Sequence, residues 1–185
     1  MSKKTTGKNK DKARRKKRDL EQKRYIQYQN SLRESIRTFD DPVLKEVSTP
    51  LSKEDDLSFI ANMKKVLAST RHGVGLSANQ IGITKNVAVL RTDMEYNIFK
   101  VLINPVIVEH SDETVTGEEG CLSYPGVIRK IDRYLKIKVK YKNEQFRSVE
   151  AEFSGFAARV VQHEIDHLFG ECKLAGLEND VSVAS

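Results

Sequence analysis

Tryptophan is absent from this chain of 185 residues, which has only two cysteines and four prolines. Two cysteines cannot build a disulfide scaffold, so a reducing compartment is expected. No run approaches the ~18 consecutive apolar residues of a membrane span, and no membrane partner is expected. No apolar stretch follows the first charges, as a secretory signal would require, which leaves the cytoplasm as the expected location. The length suits one ordinary domain and is short for two.

Charge of one sign is abundant, but only locally. The whole chain has 32 Lys+Arg against 26 Asp+Glu, a net +6. Residues 1–24 hold twelve basic residues and three acids, a net +9, which leaves −3 for residues 25–185. A mildly acidic body therefore carries a basic tail, with a boundary near residue 35. Before Leu20 the tail has almost nothing apolar, too little to offset its ordering entropy, so it is expected to be disordered alone. From Asp19 to Arg37, Leu20, Tyr25, Tyr28, Leu32 and Ile36 recur at roughly helical spacing. Such a tail suits phosphate neutralisation on RNA or a ribosome surface, and equally a solvated charge run. No DNA contact is expected.

The body, 36–185, reads as α+β, with antiparallel or mixed sheets packed on a central helix. Ser52 and Asp55 resemble a capping box for a helix carrying Leu57, Ile60, Met63, Val66 and Leu67, which should stop by Gly73. Strands are expected at 87–90 and 101–108, the second interrupted by Asn104-Pro105. Ile137, Val139 and Tyr141 alternate with lysines, and Val149, Ala151 and Phe153 with acids. Residues 142–145 join the two segments as a hairpin. A last helix is expected from about Gly155 to Phe169, with Ser154 as N-cap and Gly170 as its stop.

That helix carries His163-Glu164-Ile165-Asp166-His167. Residues four apart on a helix lie one turn above each other, about 5–6 Å between β-carbons, so two imidazoles can hold one metal ion. Glu164, beside the first histidine, can reach a metal-bound water as general base. Two ligands are not a site; a catalytic tetrahedral ion needs a third and an open position. Downstream, the metzincin third histidine is replaced by Lys173, which cannot ligate, and Glu171 and Glu178 have no obvious helix to present them. Upstream, Glu119-Gly120-Cys121-Leu122-Ser123 offers a thiol in what reads as a loop. A lone cysteine is more often a small buried hydrophobe than a ligand. The glycine-rich stretch from Gly73 to Gln80 is weak by itself and reads as a turn.

Together these three segments, 73–80, 119–123 and 162–168, resemble the peptide deformylases, whose motifs run G-x-G-L-A-A-x-Q, E-G-C-L-S and Q-H-E-x-D-H-L. Pro125, Gly126, Arg133 and the stretch from Asp41 to Leu44 agree, and the resemblance spans about 36–170. It implies a deformylase-like fold with a catalytic domain at 36–185. It further implies a metal held by Cys121, His163 and His167, Glu164 as general base, and oxyanion donors from the Gln80 amide and the Leu122 N–H. Val74, Gly75 and Gly120 would line the peptide cleft. Phe156, Val160 and the Arg159 stem would wall the methionine pocket, and Glu119 and Arg133 would form a supporting ion pair. The implied ion is Fe²⁺, with Ni²⁺, Co²⁺ or Zn²⁺ able to substitute. The implied substrate is the N-formylmethionyl end of a nascent chain, and a monomer is expected.

Ser77 departs from the family's alanine, and only eighteen residues follow His167, too few for a long C-terminal docking helix. The basic tail is expected to replace that docking. Cys172 reads as a spare core residue, and His72 and His110 have no assigned chemistry. The competing expectations are an H-E-x-x-H peptidase and an RNA- or ribosome-binding protein with an inert hydrolase domain.

Overall fold

Strand periodicity places alternate side chains on opposite faces of a sheet, and this fold uses both faces. The computed structural model describes residues 5–175. Seven strands follow in order: β1 (Gly75–Ser77), β2 (Val87–Asp93), β3 (Ile98–His110), β4 (Thr114–Cys121), β5 (Tyr124–Tyr134), β6 (Lys136–Lys142) and β7 (Ser148–Ser154). Antiparallel pairing orders β1-β2-β3-β6-β7 into one sheet, while β4 and β5 form a separate two-stranded hairpin.

Val87, Val89, Val101 and Ile103 turn toward helix α2 (Ser58–Ser69) and pack on its Met63, Val66 and Leu67. Their neighbours Leu90 and Leu102, with Ile137, Val139, Tyr141 and Phe153, turn the other way. There they cover Ala158, Val161 and Ile165 of α3 (Gly155–Leu168). Each α3 residue in that set is three or four from the next, which makes one apolar stripe. The opposite flank of α3 is left for chemistry.

Several local expectations shift. Helix α2 starts at Ser58 because Asp56 accepts both the Ser58 N–H (2.9 Å) and its hydroxyl (2.8 Å). The Ser52 N–H does donate to Asp55 at 2.7 Å, but within a turn that precedes the helix. Ser154 occupies the N-cap of α3 without a side-chain cap bond. The region between β3 and β6, read as a loop, is the β4–β5 hairpin. Cys121 therefore ends a strand, and only Leu122 and Ser123 make the turn. Asn104 sits at φ 51° in β3 and clips Leu51 at both its N–H (2.8 Å) and its carbonyl (2.9 Å), which explains the interruption there.

The tail differs most. Helix α1 runs from Thr5 to Glu34, starting well before the expected Asp19. The segment is rich in lysine, arginine, glutamine and glutamate, which lose little rotamer freedom in a helix, and it has no proline. Among its described side chains only Leu32 is buried. Residues 1–4 and 176–185, including Glu178, lie outside the described residues. Among the described residues no helix is long and apolar enough to cross a membrane.

Gly170 ends α3 at φ +72°, and a β-carbon there would stand 2.5 Å from the Lys45 carbonyl oxygen. Gly170→Ala is expected to cost about 1–3 kcal/mol. The check is the urea midpoint, which should fall with an unchanged slope.

Candidate metal centre

Helix α3 presents His163 and His167 on the flank facing the hairpin, with ring centroids 4.9 Å apart. His163 Nδ1 lies 3.0 Å from Glu119 Oε2. Glu119 also receives both prongs of Arg133, at 2.8 and 2.9 Å, and the Arg159 guanidinium at 2.8 Å. Burial alone would raise the Glu119 carboxyl. The hydrogen bonds and charges of Arg133 and His163 outweigh it and hold the group far below the usual carboxylate range. An ionised carboxylate only accepts, so His163 carries its proton on Nδ1 and leaves Nε2 free to ligate. Burial opposes protonation of His163, and Glu119 overcomes it, raising its pKa.

His167 is fully buried, and its Nε2 lies 3.1 Å from Cys121 Sγ. The sulfur also accepts from Gln80 Nε2 and the Ser123 N–H, each at 3.4 Å. Gln80 cannot turn its amide over, because its Oε1 accepts the Ser77 N–H at 2.8 Å while Nε2 also reaches the Ser123 hydroxyl at 3.1 Å. A thiol and two imidazoles are a donor set that suits a borderline-soft divalent cation with a fourth position for water, although among the described residues the donor atoms lying within 4.8 Å of one another are those of Cys121, His167 and Cys172, with His163 outside that group.

Glu164 is 4% exposed and packs against Gly75, where an added β-carbon would stand 2.2 Å from its Oε1. Only glycine lets the carboxylate lie there. Its Oε2 is 2.6 Å from the Ser77 hydroxyl, so the serine that departs from the family pattern holds this carboxylate in place.

A cleft of about 370 Å³ brings most of these groups together. Its lining includes Val74, Gly75, Gln80, Gly120, Cys121, Leu122, Phe156, Val160, His163 and Glu164. His167 lies beneath, under Cys121. Phe156 is 67% exposed at the rim. Two strand edges flank the opening, since among the described residues β1 pairs with β2 alone and β4 with β5 alone. His72 also lines the cleft, whereas His110 stacks on Tyr134 at 3.8 Å.

Three features escaped the sequence reading. Asp166, inside the helix motif, takes Arg133 Nη1 at 2.5 Å. Arg159 anchors Glu119 and the carbonyls of Gly117 and Ile131 rather than serving only as a wall. Cys172 packs against the small core of Tyr124, Val127, Ile131 and Leu174, as expected, and it also joins a polar group: donor atoms of Cys121, His167 and Cys172 all lie within 4.8 Å of one another. Contact with Cys172 and burial push the Cys121 thiol up, while contact with Cys121 and His167 pulls the Cys172 thiol down to about 4. The only sequence signal for it was a second cysteine shortly after the helix motif.

Two helix-borne histidines flanking a glutamate and a cysteine from a neighbouring hairpin, at an open cleft, are residues of the kind that a metal-dependent hydrolase uses. Residues 33–180 match the family model described as polypeptide deformylase. A peptide deformylase of Thermotoga sp. (strain RQ2) is 43% identical over 137 residues, covering 73% of this chain and 81% of that protein. The crystal structure of peptide deformylase from Thermotoga maritima superposes with a TM-score of 0.68 at 42% identity, covering 74% of this chain and 92% of that one. A peptide deformylase from Synechococcus elongatus in complex with actinonin gives 0.72 at 33% identity, covering 79% and 84%. The chain belongs to the polypeptide deformylase family, and it is an enzyme of the hydrolase class.

Proposed function

We propose that the chain removes the formyl group from the N-terminal formylmethionine of nascent polypeptides, releasing formate and a free amine. The observation that carries this reading is the meeting of Gln80, Cys121, His163 and Glu164, from three separate segments, in one cleft flanked by two open strand edges.

Cys121, His163 and His167 would hold the cation, with Fe²⁺ as the ion and Ni²⁺, Co²⁺ or Zn²⁺ as substitutes. Such an ion, when bound, polarises a carbonyl oxygen and lowers the pKa of a water toward ~7. Glu164 takes a proton from the attacking water and returns it to the departing amine. Its reach is fixed from both sides, by Ser77 at Oε2 and by Gly75 behind Oε1. Gln80 Nε2 and the Leu122 N–H donate to the developing oxyanion, each worth ~3–4 kcal/mol in comparable sites. An extended peptide adds to the open edges near Val74, Gly75 and Gly120 through main-chain bonds, which tolerate varied sequences. Phe156, Val160 and the Arg159 stem cover the methionine side chain.

Docking of α1 on ribosomal RNA belongs to the same reading. Arg14, Arg15, Lys16, Lys17, Arg18, Lys23 and Arg24 are exposed on one continuous helix, a density of cations suited to phosphate. The working location is then the cytoplasm, and the working form a monomer of tail (1–35) plus catalytic domain (36–185). Deleting residues 1–24 is expected to abolish salt-sensitive co-sedimentation with ribosomes; unchanged co-sedimentation would remove this part of the reading.

The direct test is formate release from a formyl-Met-Ala-Ser peptide by anaerobically purified protein. Release is expected, with the acetylated peptide untouched. Silence from protein carrying a full equivalent of Fe²⁺ or Ni²⁺ would overturn the assignment.

A further inference from the structure

The chain's two cysteines stand on different elements, Cys121 at the end of β4 and Cys172 on the turn after α3, yet their sulfurs lie within 4.8 Å of each other. Neither is fully buried, and Cys121 lines the open cleft, so a small solute reaches its sulfur from solvent. A sulfur–sulfur bond is ~2.05 Å long, so bonding closes a gap of less than about 3 Å. Cys172 lies outside helix and strand, on a segment that follows the Gly170 stop, and its backbone can follow such a movement.

We propose that Cys172 is the resolving thiol for Cys121, so that hydrogen peroxide converts the pair into a disulfide and releases the metal. The Cys121 sulfur attacks one peroxide oxygen; a sulfur–oxygen bond forms, the oxygen–oxygen bond breaks, and the departing hydroxide takes a proton to become water. The Cys172 sulfur then attacks the Cys121 sulfur. The sulfur–sulfur bond forms, the sulfur–oxygen bond breaks, and a second water leaves with the proton of Cys172. Two thiols and one peroxide give one disulfide and two waters, with two electrons passing from sulfur to oxygen.

A disulfide sulfur carries no thiolate charge, which leaves two imidazoles to hold the cation. Without a partner, an oxidised cysteine climbs to sulfinic and sulfonic acids that ordinary reductants do not reverse. Cys172 intercepts Cys121 at the reversible stage. Metal release rests on the ligand role proposed above for Cys121; the pairing itself does not.

The experiment uses the Zn²⁺-loaded full chain, since zinc itself undergoes no redox change. Hydrogen peroxide is added in modest excess. The products are read by peptide mapping in a mass spectrometer, by thiol titration after unfolding, and by a chromogenic zinc chelator. The expected result is a cross-linked peptide joining Cys121 to Cys172, about 2 Da lighter than its two reduced halves. Thiols fall from two to none, zinc appears in step, and dithiothreitol reverses the change.

Cys172→Ala is expected to accumulate sulfinic or sulfonic acid on Cys121, with a dithiothreitol-recoverable fraction roughly tenfold or more below wild type. Any wild-type outcome without the cross-linked peptide overturns the proposal, whether or not the variant folds. A disulfide that forms while zinc stays bound supports the pairing and overturns the ligand role of Cys121.

Discussion

Replacing Glu164 with alanine is expected to cut formate release by ~10²–10⁴ while leaving metal content near one ion per chain. The expectation follows from where the carboxylate sits. It is not among the proposed ligands, it lines the cleft beside Cys121 and His163, and it is braced by Ser77 and Gly75. Its removal takes away the proton acceptor and leaves the donor set whole. Cys121→Ala should behave in the opposite manner, losing activity and metal together, because two histidines alone hold a divalent ion poorly. Elemental analysis beside steady-state kinetics separates the two. Glu164→Ala protein that keeps its activity, or Cys121→Ala protein that keeps its metal, would sink the assigned roles, and the latter would favour a peptidase with its third ligand elsewhere.

Arg133→Ala should be the most destabilising single change at the site, by about 3–5 kcal/mol. Arg133 is 3% exposed at its side chain and neutralises two carboxylates, Glu119 at 4% and Asp166 at 22%. Truncating it takes the guanidinium from Asp166 and leaves buried Glu119 with Arg159 and His163 alone. A loss of that size corresponds to a melting temperature lower by ~6–20 °C in a chain of this length. Arg133→Lys keeps the charge but not the two-pronged fit and should fall between.

The pH dependence has a definite sign. The folded-state carboxyl of Glu119 is depressed, so its stabilisation is complete above the ordinary carboxylate range and is lost only as pH falls through the depressed value. In Arg133→Ala burial raises the same carboxyl with less to oppose it, so protonation relieves the variant and the gap in melting temperature from wild type should narrow as pH falls from about 8 to 5. A gap that stays constant over that interval would show that Glu119 remains ionised without Arg133.

What could be read from the residues depended on whether a signal was local. His163, Glu164 and His167 declare themselves through helical spacing, and β6–β7 through lysines and acids alternating with apolar residues. The β4–β5 hairpin did not, because buried Glu119 and Arg133 interrupt the apolar alternation that marks a strand, and their pairing was expected from the family resemblance rather than from any local pattern. The stretch around Gly75 looked like a turn and is an edge strand. Cys172 had no local signal, since its meaning lies in a contact with a residue far away in sequence. Ser77 stood out only as a mismatch, and its hydrogen bond to Glu164 needed three dimensions to appear.

One feature of the architecture reaches beyond chemistry. Among the described residues Cys121 belongs to a hairpin that shares no strand pairing with the main sheet, while both histidines ride on the helix packed against that sheet. Polar ties bridge the gap, including the Gln162 amide clasping Tyr134 at 3.0 and 3.1 Å. A cation held by the proposed ligands would be a rivet as well as a reagent: at a concentration a thousandfold above its dissociation constant it would add ~4 kcal/mol against the halves parting. Amide hydrogens of β4 and β5 would exchange more slowly in the loaded protein, and the ion would leave chiefly when the hairpin swings away.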